Sequence, residues 1–118
     1  MTLDALRDHC LAKSPHVTES LPFGPDVLVF KIDKMFALVG LNDERPRVNL
    51  KCEPQRAVEL RERYPEDIIP GWHMNKVHWN TVYLDGAYPE GLLRELVDHS
   101  YYLIVGSLTR KRRGELGI

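Results

Sequence analysis

Six consecutive residues, Arg47-Val48-Asn49-Leu50-Lys51-Cys52, restrict this chain more than any other stretch of it. Polar and apolar side chains alternate without a fault, and an extended strand turns successive side chains to opposite sides. Val48, Leu50 and Cys52 therefore face a core, and Arg47, Asn49 and Lys51 face away from it. A register slip of one residue would exchange the two sets, so the pattern specifies the strand's placement. A sheet with such a strand is expected to be covered on one face only.

The neighbouring segments supply the rest of that sheet. Val27 to Ile32 and Met35 to Leu41 are β-rich runs joined by Asp33-Lys34, a tight hairpin. Asn42 to Pro46 forms a longer hairpin loop into the alternating strand. Val17 to Phe23 is expected to be a short edge strand, where Pro22 can spare its missing N–H. Asn75 to Leu84 closes the sheet, and Asp67 to Trp72 is a loop or short strand interrupted by Pro70-Gly71.

Three helices accompany these strands. Thr2 caps the first, whose stripe is Ala5, Leu6 and Cys10 with Leu3 and Leu11, and which ends near Pro15. Pro54 opens the second, over residues 54 to 64. The third runs from Pro89 and carries Leu92, Leu93, Leu96, Val97, Ser100, Leu103, Ile104, Ser107 and Leu108 along one stripe. The order is α-β-β-β-β-α-β-α without repeat or linker. The expected fold class is therefore α+β: one domain over residues 1–118, an antiparallel sheet with the terminal helices packed on one face.

A chain of 118 residues can bury one compact core, and 28% charged against 43% hydrophobic residues argues against disorder. The N-terminus mixes charged with apolar residues and lacks the apolar centre of a signal peptide, and no segment is apolar enough to cross a membrane, so a cytoplasmic location is expected. Cys10 and Cys52 stand alone inside predicted elements and are expected to be buried thiols. The net charge is −1, but it is unevenly spread. Arg110, Lys111, Arg112 and Arg113 face Glu115 alone near the C-terminus. The remaining 12 basic and 16 acidic residues leave the body at −4. Anion binding would have to rest on a local patch.

Two groups of side chains could form such a patch. Arg47, Asn49 and Lys51 span about 13 Å of one strand face, with Lys31 on a neighbouring strand and Arg45 in the adjoining loop. Lysine and arginine neutralise phosphates, and asparagine can pair with adenine edges. A solvated sheet face would carry the same residue types. The second group is Asn75, Lys76 and His78. On a strand, Lys76, His78 and Asn80 share one face, while Val77, Trp79, Thr81 and Tyr83 share the other, where Trp79 and Tyr83 are expected to pack against a helix. Asn75 can equally cap a turn. Arg110 to Arg113 fit either a helix C-terminus, where cations complement the dipole, or phosphate contact.

Catalysis and metal binding find little support. Neither cysteine has an activating context, and no nucleophile motif or phosphate-cradling loop occurs. His9, His16, His73, His78 and His99 show no metal-site spacing. No catalytic residue, metal or other cofactor is assigned.

Three segments carry a family resemblance: Lys34-Met35-Phe36-Ala37-Leu38; Arg45 to Cys52 running into the helix at Pro54; and Asn75 to Gly86, followed by Pro89 and then Leu96 to Leu103 with Ser100-Tyr101. Together they resemble the MmcQ/YjbR family. That resemblance implies a fold of the bacterial-frataxin type and a double-wing mode of binding double-stranded DNA, with hairpin loops as wings. Lys34 of the first hairpin then joins Lys31, Arg45, Arg47, Asn49, Lys51, Asn75, Lys76 and His78 as an expected contact. Members of the family often have glycine where this chain has Asp33. The acidic ridge through which frataxins bind iron is reduced here to Asp4 and Asp8, interrupted by Arg7. The leading expectation is a non-enzymatic DNA-binding protein, and the alternative is a protein- or small-molecule-binding module using the same sheet face. The oligomeric state stays open, with a monomer as the default.

Overall fold

A computed structural model describes all 118 residues. The elements are α1 (Leu3–Leu11), β1 (Thr18–Ser20), β2 (Val27–Ile32), β3 (Lys34–Gly40), β4 (Arg47–Lys51), α2 (Pro54–Arg63), β5 (Ile68–Pro70), β6 (Trp79–Tyr83), α3 (Leu92–Ser107) and α4 (Arg110–Leu116). One antiparallel sheet holds all six strands in the order β1-β2-β3-β4-β6-β5. The α+β architecture expected from the pattern is present, with α1, α2 and α3 on one face.

The register shows how that face was built. Phe30, Ala37, Leu50 and Asn80 stand side by side across four strands, and Leu28, Val39, Val48, Val82 and Ile68 form the next row. α3 lies across β3 and β4, α2 covers β5 and β6, and α1 packs beside α3. Leu6, Cys10, Leu96, Val97, Tyr101 and Ile104 fill the layer between. Burial raises the Cys10 thiol to about 12 and the Cys52 thiol to about 11, so neither forms thiolate readily.

A bulge ties α3 to the sheet. The β2–β3 register shifts between Phe30 and Lys31, and β3–β4 pairing begins only at Ala37. Phe36 and Lys51 are thereby left without each other. Buried Ser100 fills the gap: its hydroxyl donates to the Phe36 carbonyl at 2.6 Å and accepts from the Lys51 amide at 2.9 Å.

Four local expectations need correction. β6 starts at Trp79, not Asn75, because the Asn75 side-chain oxygen accepts from the amides of Val77 and His78 and bends the chain into a turn. The faces of β6 are also exchanged. Asn80 and Val82 point toward the helices, and Trp79, Thr81 and Tyr83 lie on the other face. Asn80 is buried there and donates to the Ala57 carbonyl. The edge strand is shorter than expected, since only Thr18–Ser20 pairs with β2. The basic run does not end a long helix. Leu108 is extended, and Thr109 caps the separate helix α4 by accepting from the Arg112 amide. Arg110, Lys111 and Arg112 therefore occupy the first turn of α4, where the dipole disfavours them, and Arg113 lies in its last turn.

The second sheet face is not bare. A row running Val29, Leu38, Asn49, Thr81 and Ile69 crosses it, and Val29, Leu38 and Thr81 are buried. The loop between β5 and β6 folds over this row. Its Trp72 amide donates to the Thr81 hydroxyl at 2.9 Å, and Asn49 donates to the Trp72 carbonyl at 3.0 Å. No helix is long and apolar enough to cross a membrane.

Candidate functional site

The second face and its two ends hold the residues singled out from the sequence, but not as one surface. At the end formed by the β3–β4 loop, Arg45 donates to Asp67 at 2.8 Å, to Asp85 at 2.8 and 3.0 Å, and to the Glu66 carbonyl at 3.2 Å. Its guanidinium also stacks on Tyr83. The hydrogen bonds to Asp85 and Asp67 raise the guanidinium's pKa, and the same bonds hold both aspartates below the usual carboxylate range. Arg47 is paired with Asp43 at 2.9 Å. Asn49 is engaged as well, giving a hydrogen bond to Trp72 and accepting one from Thr81 at 2.6 Å. These three side chains hold loops in place. With Glu44 and Glu66 adjoining in the chain and Asp26 accepting a hydrogen bond from Asn42 of the β3–β4 loop, this end is acidic.

The opposite end is basic. Lys31 pairs across the sheet with Met35, and Lys51 with Trp79, so both stand on the second face near the β2–β3 hairpin. Lys76 belongs to the same end, donating to the Gly71 carbonyl at 3.0 Å, and exposed His78 flanks it. Lys34 projects on the helix side of the hairpin and donates to Ser107 at 3.3 Å. None of Lys31, Lys34, Lys51 and Lys76 enters an ion pair.

Helix α4 sits against this hairpin. Arg112 donates twice to Asp33, from Nε at 2.5 Å and from Nη2 at 2.9 Å. Asp33 has φ +62°, a left-handed conformation that aspartate tolerates better than most residues. The hydrogen bonds from Arg112 hold its carboxyl below the ordinary value. Docked in this way, α4 adds Arg110, Lys111 and Arg113 to the basic end.

Comparison with known proteins agrees with this architecture. The YjbR family model matches residues 12–103. The chain belongs to the YjbR family. It is 39% identical over 114 residues to the uncharacterized protein YjbR of Escherichia coli K12, covering 96% of this chain and 95% of that one. The uncharacterized protein YbdF of Escherichia coli O157:H7 is 42% identical over 98 residues, covering 82% of this chain and 80% of its own. A crystal structure from Deinococcus radiodurans, described as a DUF419 domain, superposes with a TM-score of 0.90 at 42% identity, over 99% of this chain and 88% of that one. A Pseudomonas syringae structure reaches 0.75 at 28% identity, over 88% and 99% of the two chains.

Within this YjbR-family fold, sequence reasoning missed the residues that give the second face its shape. Trp72, His73 and Met74 overhang a groove of about 260 Å³ floored by Val27, Leu38 and Gly40. Phe23 forms another wall and stays 62% exposed. Trp72 is 49% exposed although it stacks under Arg47, 4.5 Å from the guanidinium carbon to the ring centre. The readable signal was the glycine of Pro70-Gly71. A Cβ at Gly71 would lie 2.8 Å from the Trp79 Cβ, so only glycine lets the loop turn back so closely over β6.

Proposed function

We propose that this protein binds double-stranded DNA by its phosphate backbone, through the basic end of the sheet and not through the middle of its second face. The separation of charge carries the reading. Lys31, Lys34, Lys51, Lys76, Arg110, Lys111 and Arg113 gather around one end with no carboxylate paired to them; Asp33 and Glu115 at this end are both engaged by Arg112, while Asp43, Asp67 and Asp85 lie at the other end around Arg45 and Arg47. Phosphate contact needs mobile, unneutralised cations and releases counterions from the duplex. The hairpin and α4 project at this end, as a wing would against a groove edge. Arg45, Asn49 and Asn75 drop out as contacts because their hydrogen-bonding groups are used within the fold, and Arg47 drops out because Asp43 neutralises it at the opposite, acidic end. With few groups free to read base edges, the binding is expected to be weakly sequence-selective.

Fluorescence anisotropy of a labelled random-sequence duplex, at low and then physiological salt, tests this. Affinity that falls steeply with salt is the expected result, because a handful of phosphate contacts lowers it by about 10²-fold or more over that range. Flat anisotropy at low salt would overturn it.

A further inference from the structure

The groove on the second face plays no part in that reading, and its lining has a chemistry of its own. We infer that it is a binding site for a small amphipathic carboxylic acid, with Arg47 receiving the carboxylate and the groove holding the apolar body. The guanidinium of Arg47 spends only its Nε on Asp43, at 2.9 Å, and its central carbon lies 4.5 Å from the centre of the Trp72 ring. Both terminal nitrogens, Nη1 and Nη2, are left without a protein partner at the groove's edge. Two coplanar donors on a rigid plane match the two oxygens of a carboxylate. The Arg47 side chain is 19% exposed, so an anion there would be shielded from much of the solvent that weakens surface pairs.

Charge sets the class of head group. Asp43 already balances Arg47, and Glu44 follows it in the chain, so a dianionic phosphate would meet repulsion that a single carboxylate largely avoids. Arg45, two residues away, shows that one guanidinium in this protein accommodates two carboxylates at 2.8 Å each. Gly40 keeps the ion pair seated, because a Cβ there would overlap the Asp43 carboxylate.

Size and lining set the body. An apolar cavity of about 150 Å³ takes a benzene, so about 260 Å³ takes roughly ten carbon atoms, a bicyclic ring or a medium acyl chain. Met35, Met74 and Phe23 supply adaptable apolar walls, and methionine suits ligands of irregular outline. Exposed Phe23 and Trp72 would be covered by such a body, which removes apolar surface from water. His73, on the rim, holds φ +58°, a strained conformation of the kind that collects at ligand clamps.

The test is a titration of the full chain with 1-naphthoate and with uncharged 1-naphthylmethanol, followed by amide and indole N–H shifts. Saturable naphthoate binding is expected at about 0.1–1 mM, with shifts centred on the Trp72 indole and residues 71–74. Arg47→Lys keeps the charge and loses the fork, so it weakens naphthoate at least about tenfold and leaves the alcohol unchanged. Trp72→Ala weakens both. Equal affinity for acid and alcohol, an Arg47→Lys variant that binds naphthoate like the parent, or no saturation at 5–10 times that concentration range would each overturn the assignment. Duplex binding and naphthoate binding use different residues, so loss of one leaves the other standing.

Discussion

Arg112 and Asp33 are separated by 79 positions and meet through two hydrogen bonds from one guanidinium to one carboxylate. This pair is what converts a basic C-terminal stretch into part of the same surface as the β2–β3 hairpin. Without it, α4 would be a seven-residue helix, too short to hold itself in water. Replacing Asp33 by Asn keeps a residue that accepts the left-handed conformation and removes only the charge. Amide hydrogen exchange is expected to quicken across residues 113–118 in Asp33→Asn, with little change in the global unfolding midpoint, because both groups are solvent-exposed. Asp33 also has a lowered pKa, so in the parent the contact is complete above about 3.9, the ordinary aspartate value. It is lost as pH falls below that value and through the folded one. Exchange that is unchanged in the variant would show that α4 is held by Leu116 and Leu108 alone.

Ser100 makes a second long-range tie with a larger expected effect. Ser100→Ala would strand the buried Phe36 carbonyl and the part-buried Lys51 amide beside the bulge. Each unsatisfied group costs about 1–3 kcal/mol, so a loss of about 2–4 kcal/mol is expected in urea unfolding. Ser107 gives the comparison. Its hydroxyl donates within its own helix to Ile104, and Ser107→Ala should cost about 0.5 kcal/mol or less. Similar losses in the two variants would disprove a bridging role for Ser100.

His99 makes stability depend on pH. Its Nε2 accepts from the Glu53 amide at 3.2 Å, which requires the neutral ring. Burial, followed by the nearby Arg56 guanidinium, lowers its pKa below the usual 6.5. The folded protein therefore binds fewer protons here than the unfolded chain. The resulting stability is present above about 6.5 and falls as the pH drops toward the folded value. Chemical denaturation at pH 7.5 and 5.5 should show a smaller difference for His99→Gln, which can still accept the Glu53 hydrogen bond, than for the parent. Equal differences would remove His99 as the source.

The charge map separates two arginines and lysines that the sequence grouped together. Lys34→Glu combined with Lys111→Glu should weaken duplex binding by about tenfold or more, while Arg45→Gln should leave it within about twofold. Arg45→Gln should instead unsettle the loops bearing Asp67 and Asp85, visible as shifted resonances around Tyr83. If Arg45→Gln were the more damaging variant for binding, the interface would lie at the acidic end.

Local pattern determined a large part of this molecule. The alternation from Arg47 to Cys52 set which side chains of β4 meet the core. The stripe of the third helix located α3, and Thr2 and Pro54 marked helix starts that the fold uses. Those signals are readable because strand and helix periods are properties of neighbouring residues. The α+β class follows from them, and so does the order of elements apart from the short strand β5 and the separate helix α4.

Only the tertiary structure decided what the polar residues do. Whether Arg47 or Arg45 is free depends on Asp43, Asp67 and Asp85 arriving from separate loops, and the strand pattern contains none of that. Asn75 bends its own segment through two hydrogen bonds, which moved the start of β6 by four residues and turned Trp79 and Tyr83 to the face opposite the one expected. The groove arises because Gly71 lets a loop fold back over β6, bringing Trp72 beneath Arg47. Periodicity reports the side of an element on which a residue lies. The partner it finds there is set by chain segments tens of residues away, so the charged and aromatic contacts come into being only when the fold closes.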